Sequence, residues 1–300
     1  MLYGIVDIGS NTVKLKVYYR EDSNIETLFS IKENLGLVFY ITEGKLTRKG
    51  IDKLMVTLKE MKNTMDLLKI KNCWFFATAW IRNIENRANV LQIINDKVNI
   101  KIDVLSDEEE GKLSFCGSVS TIKEDNGILI DVGGGSVEIV LFENRKIIDV
   151  HSISAGALKM YDNCVSDLIP DYEESNMIKN KIYSELHKIG FDNKEKILFI
   201  CGVGGNLRVI RKLLMDLNLQ QNKSHIIAAG LLKQLKHELT HNNKDTYNKI
   251  LHVKPSKIHT LVPALLILEA VTSYFGCEEI QISKFSVREG YLYKKVLNRC

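Results

Sequence analysis

The sequence predicts an α/β protein made of two similar halves, and three observations carry that expectation. Strand-like and helix-like segments alternate along the 300 residues. A weak internal repeat opens each half: "IVDIGSNTVKLKVY" and "LIDVGGGSVEIVLF" share an apolar strand, an Asp, a Gly-containing turn and a second alternating strand, so Asp7 corresponds to Asp131. Glycine turns recur at strand ends (9–11, 133–136 and 202–206). Two copies of a strand–turn–strand unit suggest two domains facing each other across a central cleft, with both turns pointing into it.

The elements follow in order. "YGIVDIGS" and "TVKLKVYYR" read as a hairpin with a polar turn at Ser10 and Asn11. "NCWFFAT" reads as a buried strand and "AWIRNIENRANVLQIINDK" as the helix after it. "NIKIDVLS" is a further strand, and "DEEEGKLSFCGSVSTI" begins a helix. The polar turn "KEDNG" then separates residues 1–124 from residues 125–300, with the boundary near Asp125 and Asn126. In the second half "EKILFICGVGGNLRVIRKLL" reads as strand, turn and helix, and "EEIQISKFSVREGYLYKKVL" as strand then helix. The last helix, about 287–300, is expected to pack back on the first domain.

Composition narrows the function classes. Apolar residues make up 45%, enough for sizeable cores, and the net charge is +4. The basic residues form no concentrated stripe, which argues against a nucleic-acid partner. The six cysteines contain no C-x-x-C pair, so free thiols in a reducing cytoplasm are expected. Asp7 interrupts the N-terminus before a signal-peptide apolar region forms, and "LVPALLIL" stops at Glu269, far short of the ~20 residues that span a bilayer. The expectation is a cytoplasmic protein without a membrane partner.

Why place Gly133, Gly134 and Gly135 together at a strand end, where glycine weakens the strand? A phosphate needs several converging N–H donors, and side chains would hinder its approach. The aspartate at the strand end can hold Mg²⁺, which prefers oxygen ligands and retains several waters. Asp131 followed by Gly133, Gly134, Gly135 and Ser136 therefore reads as metal plus phosphate, with Glu138 available on the return strand and Asp7 in the equivalent place. A glycine-rich hairpin with a turn-capping Asp is the plainer alternative, and three such turns in one chain favour the phosphate reading. Gly44 and Lys45 lack the earlier glycine of a P-loop, and in "GVGGNL" Leu207 stands where a dinucleotide fingerprint needs Gly.

"IVDIGSNTVKLKV", "ATAWIRNIEN", "VLSDEEEG", "LIDVGGGSVEI", "SAGALKM", "GVGGNLR" and "VREGYL" together resemble the exopolyphosphatase / guanosine-pentaphosphate phosphatase family, in family order over nearly the whole chain. The resemblance implies two ribonuclease-H-like domains of the actin, sugar-kinase and heat-shock-ATPase superfamily. It is to the short members, without the C-terminal helical extension of longer ones. It implies hydrolysis of phosphoanhydrides, with inorganic polyphosphate as first-choice substrate, guanosine pentaphosphate as second, and Mg²⁺ or Mn²⁺ as cofactor.

The resemblance also distributes roles. Ser106-x-x-Glu109 is a capping box, which gives Glu109 a structural task. Glu110 matches the family's general base, followed by Gly111 as the small residue, and crowding among residues 107–110 would raise its pKa. Asp107, Glu108 and Glu109 are expected only to complement the helix dipole. Arg82 matches an arginine that neutralises phosphate bidentately. Lys159 matches a basic family position. Gly9, Ser10, Asn11, Gly204, Gly205 and Asn206 are expected to line the substrate beside the 133–136 turn, and Glu289 to be structural. Asn34, Lys257 and His259 depart from the family pattern. A homodimer is compatible with all of this.

Rival readings remain open at this point: a phosphotransferase of the same superfamily, a non-enzymatic nucleotide or alarmone sensor, and a zinc protease. The last comes from "HELTH", where His237, Glu238 and His241 fit H-E-x-x-H. Leu232, Leu235 and Leu239 form that helix's buried stripe, which places both histidines on the wet face, and nothing supports Glu269 as a third ligand.

Overall fold

Alternating apolar residues make β1 (Leu2–Ile8) and β2 (Thr12–Glu21) an antiparallel hairpin, continued by β3 (Asn24–Asn34). The molecule was analysed as a computed structural model that describes residues 1–190, 197–220, 224–241 and 243–299. The chain divides into two units, Met1–Glu110 and Gly111–Cys300. Glu195 and Lys196, expected to lead into a strand, together with Asn242 and Cys300, lie outside the described residues.

In the first unit a small ribbon, β4 (Ile41–Thr42) and β5 (Lys45–Leu46), leads into α1 (Arg48–Leu67). Thr47 caps α1 by accepting from Gly50 N. Ile51, Leu54, Leu58, Met61 and Met65 recur at helical spacing and are buried with Val6, Ile8, Val13, Leu15 and Val17 of the sheet. Each such side chain contributes about 2 kcal/mol through burial. β6 (Asn72–Ala77), α2 (Ala79–Arg82), α3 (Arg87–Val98) and β7 (Ile102–Val104) follow. The single helix expected after β6 is thus two, because Asn86 is diverted from it. Its Oδ1 accepts from Leu46 N at 3.0 Å and its Nδ2 donates to Leu46 O at 2.9 Å. Strand order is β3-β2-β1-β6-β7, with β6 and β7 parallel to β1.

Helix α4 (Asp107–Ser118) runs into the second unit. There β8 (Gly127–Val132), β9 (Val137–Glu143) and β10 (Lys146–Ile153) repeat the antiparallel meander. After them come α5 (Ala157–Cys164), α6 (Tyr172–Lys188), β11 (Phe199–Val203), α7 (Gly205–Asp216), β12 (Ile226–Ala228), α8 (Gly230–Leu239), α9 (Lys244–Val253), α10 (Leu261–Phe275), β13 (Glu279–Ile282) and α11 (Val287–Gly290). The order β10-β9-β8-β11-β13-β12 reproduces that of the first unit with one antiparallel edge strand added. Both units therefore have the ribonuclease-H-like arrangement of the actin-like fold. α10 is buried almost throughout, which explains "LVPALLIL" as a core helix. Among the described residues no helix is long and apolar enough to cross a membrane.

The division after Glu110 falls ahead of Asp125 because α4 lies directly on the second sheet. A Cβ on Gly111 would stand 2.8 Å from Val150 Cγ1 and 3.3 Å from Val140 Cγ2, so the small residue after Glu110 is the one that lets the helix approach. The C-terminal helix also belongs to the second unit, where Gly117 of α4 meets the backbone of Gly290. Cys73, Cys164, Cys201 and Cys277 are free. Cys116 is disulfide-bonded, which corrects the expectation of free thiols throughout.

Candidate active site

The two hairpin turns share one construction. In the first unit Ile8 pairs with Val13, and Gly9 N donates to Thr12 O at 3.0 Å. In the second, Val132 pairs with Val137, and Gly133 N donates to Ser136 O at 3.0 Å. In both, neighbouring backbone captures the turn's carbonyls. Asn11 O accepts from Leu35 N and Gly36 N, and Ser10 O accepts from Val38 N. Gly133 O accepts from Ala157 N, Gly134 O from Leu158 N and Lys159 N, and Gly135 O from Gly156 N. The start of α5 is thus docked on the back of the glycine turn. Gly156 permits this approach: a Cβ there would lie 2.5 Å from Ser136 N and 2.6 Å from Gly134 O. With the carbonyls tied, the peptide units turn their N–H groups the other way. Among the described residues neither Gly134 N nor Gly135 N donates a backbone hydrogen bond, the state an anion-binding concavity requires.

Asp131 and Glu138 are cross-strand partners on β8 and β9, so their side chains share one face of the sheet. Glu138 is fully buried, and its Oε1 accepts from Ser152 Oγ at 3.1 Å. Asp131 Oδ2 accepts from Ser114 Oγ on α4 at 2.5 Å. Like-charged neighbours repel, and a hard divalent cation between two carboxylates removes that repulsion. Among the described residues no group of three or more His, Cys, Asp or Glu is placed to hold a metal. Two carboxylates nevertheless suit Mg²⁺ or Mn²⁺, because Mg²⁺ keeps most of its waters. At the equivalent position in the first unit Asp7 faces Lys14 in register.

The third turn leads into α7. Gly204 (φ 125°) precedes the helix without a side-chain cap, and a Cβ on it would lie 3.6 Å from Asp131 Oδ1. Lys257 Nζ lies 3.8 Å from the corresponding point on Gly205. Asn206, expected as a loop donor, is buried, and its Oδ1 accepts from Thr260 Oγ1 at 3.0 Å; it fastens α7 to the start of α10. Lys159 Nζ donates to Ser154 Oγ at 2.8 Å. His259 packs edge-on against Tyr161, their ring centres 4.9 Å apart. Sequence reasoning missed Arg208, whose pKa is pushed down by burial and by Arg288 against the opposing charges of Asp131 and Glu289. A basic residue on the first turn after "GVGGNL" was the signal for it.

In the first unit Trp80 Nε1 donates to Ile8 O at 2.6 Å and pins α2 to the end of β1. This places Arg82, whose side chain is 12% exposed, beside the start of α4. Its Nη1 reaches Leu105 O and, at 3.4 Å, Glu110 Oε2, while Nη2 binds Asp107 Oδ1. Arg82 therefore holds the candidate base instead of presenting an uncommitted fork to phosphate. Asp107 thus has a partner beyond the helix dipole. Glu109 is the structural member: its N–H donates to Ser106 Oγ, and its Oε2 accepts from Ser106 N, both at 3.1 Å. Glu289 likewise completes a capping box with Ser286.

The zinc-protease arrangement is not assembled. Leu232, Leu235 and Leu239 are buried as expected, but Glu238 is bound to Lys249 at 2.7 Å, and that hydrogen bond lowers its pKa. Glu269 is paired with Lys179 and Lys236, each at 3.3 Å.

Comparison with known proteins bears on the fold and the family. The structure of an exopolyphosphatase from Cytophaga hutchinsonii superposes with a TM-score of 0.87 over 100% of this chain and 99% of the other, at 21% identity. A Ppx/GppA family member from Aquifex aeolicus superposes with a TM-score of 0.82 over 99% and 98%, at 22% identity. At these identities the likeness establishes the fold. By sequence, the chain is 23% identical to a bifunctional 3-dehydroquinate synthase/phosphatase of Fusobacterium nucleatum, covering 98% of this chain and 46% of the relative. It is 22% identical to a guanosine-5'-triphosphate,3'-diphosphate pyrophosphatase of Aeromonas hydrophila, covering 97% and 59%. The chain thus spans about half the length of these curated relatives. The sequence pattern of the Ppx/GppA phosphatase family matches residues 17–299, and the chain belongs to that family.

Proposed function

We propose that the chain hydrolyses phosphoanhydrides, releasing terminal inorganic phosphate from inorganic polyphosphate, with guanosine pentaphosphate as the second substrate. The observation that carries this reading is the 133–136 turn, with its carbonyls tied by α5 and its base flanked by the Asp131–Glu138 pair. The relative named as an exopolyphosphatase and the one named as a guanosine-5'-triphosphate,3'-diphosphate pyrophosphatase both support the substrate class.

Asp131 and Glu138 would hold Mg²⁺ or Mn²⁺. When bound, such a cation supplies charge stabilisation for phosphoryl oxygens and neutralises the two carboxylates. The amides of Gly133, Gly134, Gly135 and Ser136 are assigned to a phosphate of the substrate, and Gly9, Ser10 and Asn11 are kept as the substrate-binding residues of the first unit. Gly204 and Gly205 bring a helix start to the same task, with Lys159 as a nearby cation. Glu110 takes a proton from the attacking water as its oxygen bonds to the terminal phosphorus. The bridging oxygen departs on the shortened polyphosphate, and Arg82 keeps Glu110 in place throughout.

A metal-dependent phosphate-release screen across polyphosphate, guanosine pentaphosphate, ATP and ADP tests this. Release from polyphosphate without an acceptor is the expected result. Dependence on an acceptor would establish the phosphotransferase reading instead, and ligand binding without turnover the sensor reading.

A further inference from the structure

We propose that Ser114 is a positioning residue that fixes which oxygen of Asp131 is presented to the divalent cation, an inference that rests on the cation assignment just made. Ser114 is wholly buried on α4, where alanine is the stronger helix former. A hydroxyl inside a helix ordinarily donates to the carbonyl one turn back. This chain follows that habit elsewhere: Thr64 donates to Glu60 O at 2.9 Å and Thr240 to Lys236 O at 3.0 Å. Ser114 departs from it and sends its proton out of the helix to Asp131 Oδ2.

The bond is charge-assisted, hydroxyl to carboxylate, and belongs to the stronger class. It pins the carboxylate's rotation and occupies Oδ2. Oδ1 lies on the side of the α7 start, 3.6 Å from the point a Gly204 Cβ would occupy. Ser152 does the same for the neighbouring ligand, donating to Glu138 Oε1. Each carboxylate of the pair thus accepts from a serine hydroxyl, Asp131 from α4 and Glu138 from β10. The steadying hydroxyl on α4 is four residues after Glu110, so one helix carries both the candidate base and the orienting group.

The test is Mn²⁺ titration followed by electron paramagnetic resonance on the full chain, for wild type, Ser114→Ala and Ser114→Thr. Thermal unfolding and polyphosphate hydrolysis are measured on the same samples. The Ala variant is expected to raise the Mn²⁺ dissociation constant about tenfold, with the polyphosphate KM at saturating Mn²⁺ moving less than about twofold. The Thr variant, which keeps the hydroxyl, restores affinity to within about threefold. The proposal is overturned by an Ala variant that binds Mn²⁺ like wild type. It is overturned equally by Ala and Thr variants that lose affinity together with a common fall in unfolding temperature, which would make the role one of packing. Failure of the underlying reading looks different: wild type itself then binds no Mn²⁺, or binds it and releases no phosphate from any substrate.

Discussion

Arg82 contacts Leu105 O, Asp107 and Glu110, and those contacts change what its loss should do. A phosphate-neutralising arginine would reveal itself in KM. One that holds the base would reveal itself in kcat, and would do so through Glu110. Glu110→Gln is therefore expected to lower kcat by 10²- to 10⁴-fold, with KM within about threefold. Arg82→Ala should lower kcat by about 10²-fold, and the double variant should fall no further than Glu110→Gln alone, because the two substitutions remove one function. Steady-state kinetics on the three proteins checks this; additive losses would return Arg82 to the substrate. The candidate base could be found in the sequence because it follows a capping box in a stretch with a family resemblance. The role of Asp107 as a partner of Arg82 could not: four consecutive acids look alike until a helix start and a buried guanidinium single one out. Ser114 was illegible for a related reason, since a serine inside a helix ordinarily means nothing. Cys201 and Cys277 give a simpler forecast. Burial pushes both thiols up to about 12, so in native protein at neutral pH they should resist alkylation while denatured protein reacts readily. Mass spectrometry after iodoacetamide treatment reads the difference.

At the scale of elements, the hairpins were the most legible part of the chain. An Asp, a glycine turn and two alternating strands occur twice, and the structure closes both with the same Gly N to carbonyl bond. What the repeat did not disclose is the carbonyl capture by α5, because those bonds join residues far apart in sequence and leave no local pattern. The break between α2 and α3 was hidden likewise, being caused by Asn86 reaching back to Leu46. Helix α6 supports a prediction of its own. Asp171 caps it, and Glu174 closes the capping box while also accepting from Ser166. Partial burial would push the Glu174 carboxyl up, but the hydrogen bonds from the Ser166 hydroxyl and the backbone N–H groups of Asp171 and Ser166 outweigh it and hold the carboxyl low. A depressed carboxyl adds stability that is present above its unfolded value of about 4.3 and is lost as pH falls through the folded value. Asp171→Ala should lower stability by about 1 kcal/mol. The gap between wild type and Glu174→Gln should be open at pH 7 and close in acid. Urea unfolding at pH 7 and pH 3.5 measures both.

At the scale of the molecule, the two units repeat one strand–turn–strand plan and differ in charge opposite the shared aspartate. Where the first pairs Asp7 with Lys14, the second pairs Asp131 with Glu138. A lysine in register with Asp7 creates no like-charge pair, whereas two carboxylates side by side repel, and a divalent ion relieves that repulsion. Alternation and glycine spacing reported the copies well, and the repeat itself aligns Lys14 with Glu138; strand register adds that each faces the aspartate of its own unit. The proposed cation is therefore expected in the second unit. A ligand that binds only folded protein at a hundredfold excess over its Kd adds about 2.7 kcal/mol, which raises the unfolding temperature of a unit this size by roughly 5–10 °C. Mg²⁺ should produce such a shift in wild type and in Asp7→Asn, and EDTA should reverse it. Asp131→Asn should lose the shift and, with it, metal-dependent phosphate release. Calorimetry with and without Mg²⁺ distinguishes the units directly: a shift abolished by Asp7→Asn and kept by Asp131→Asn would move the cation to the first.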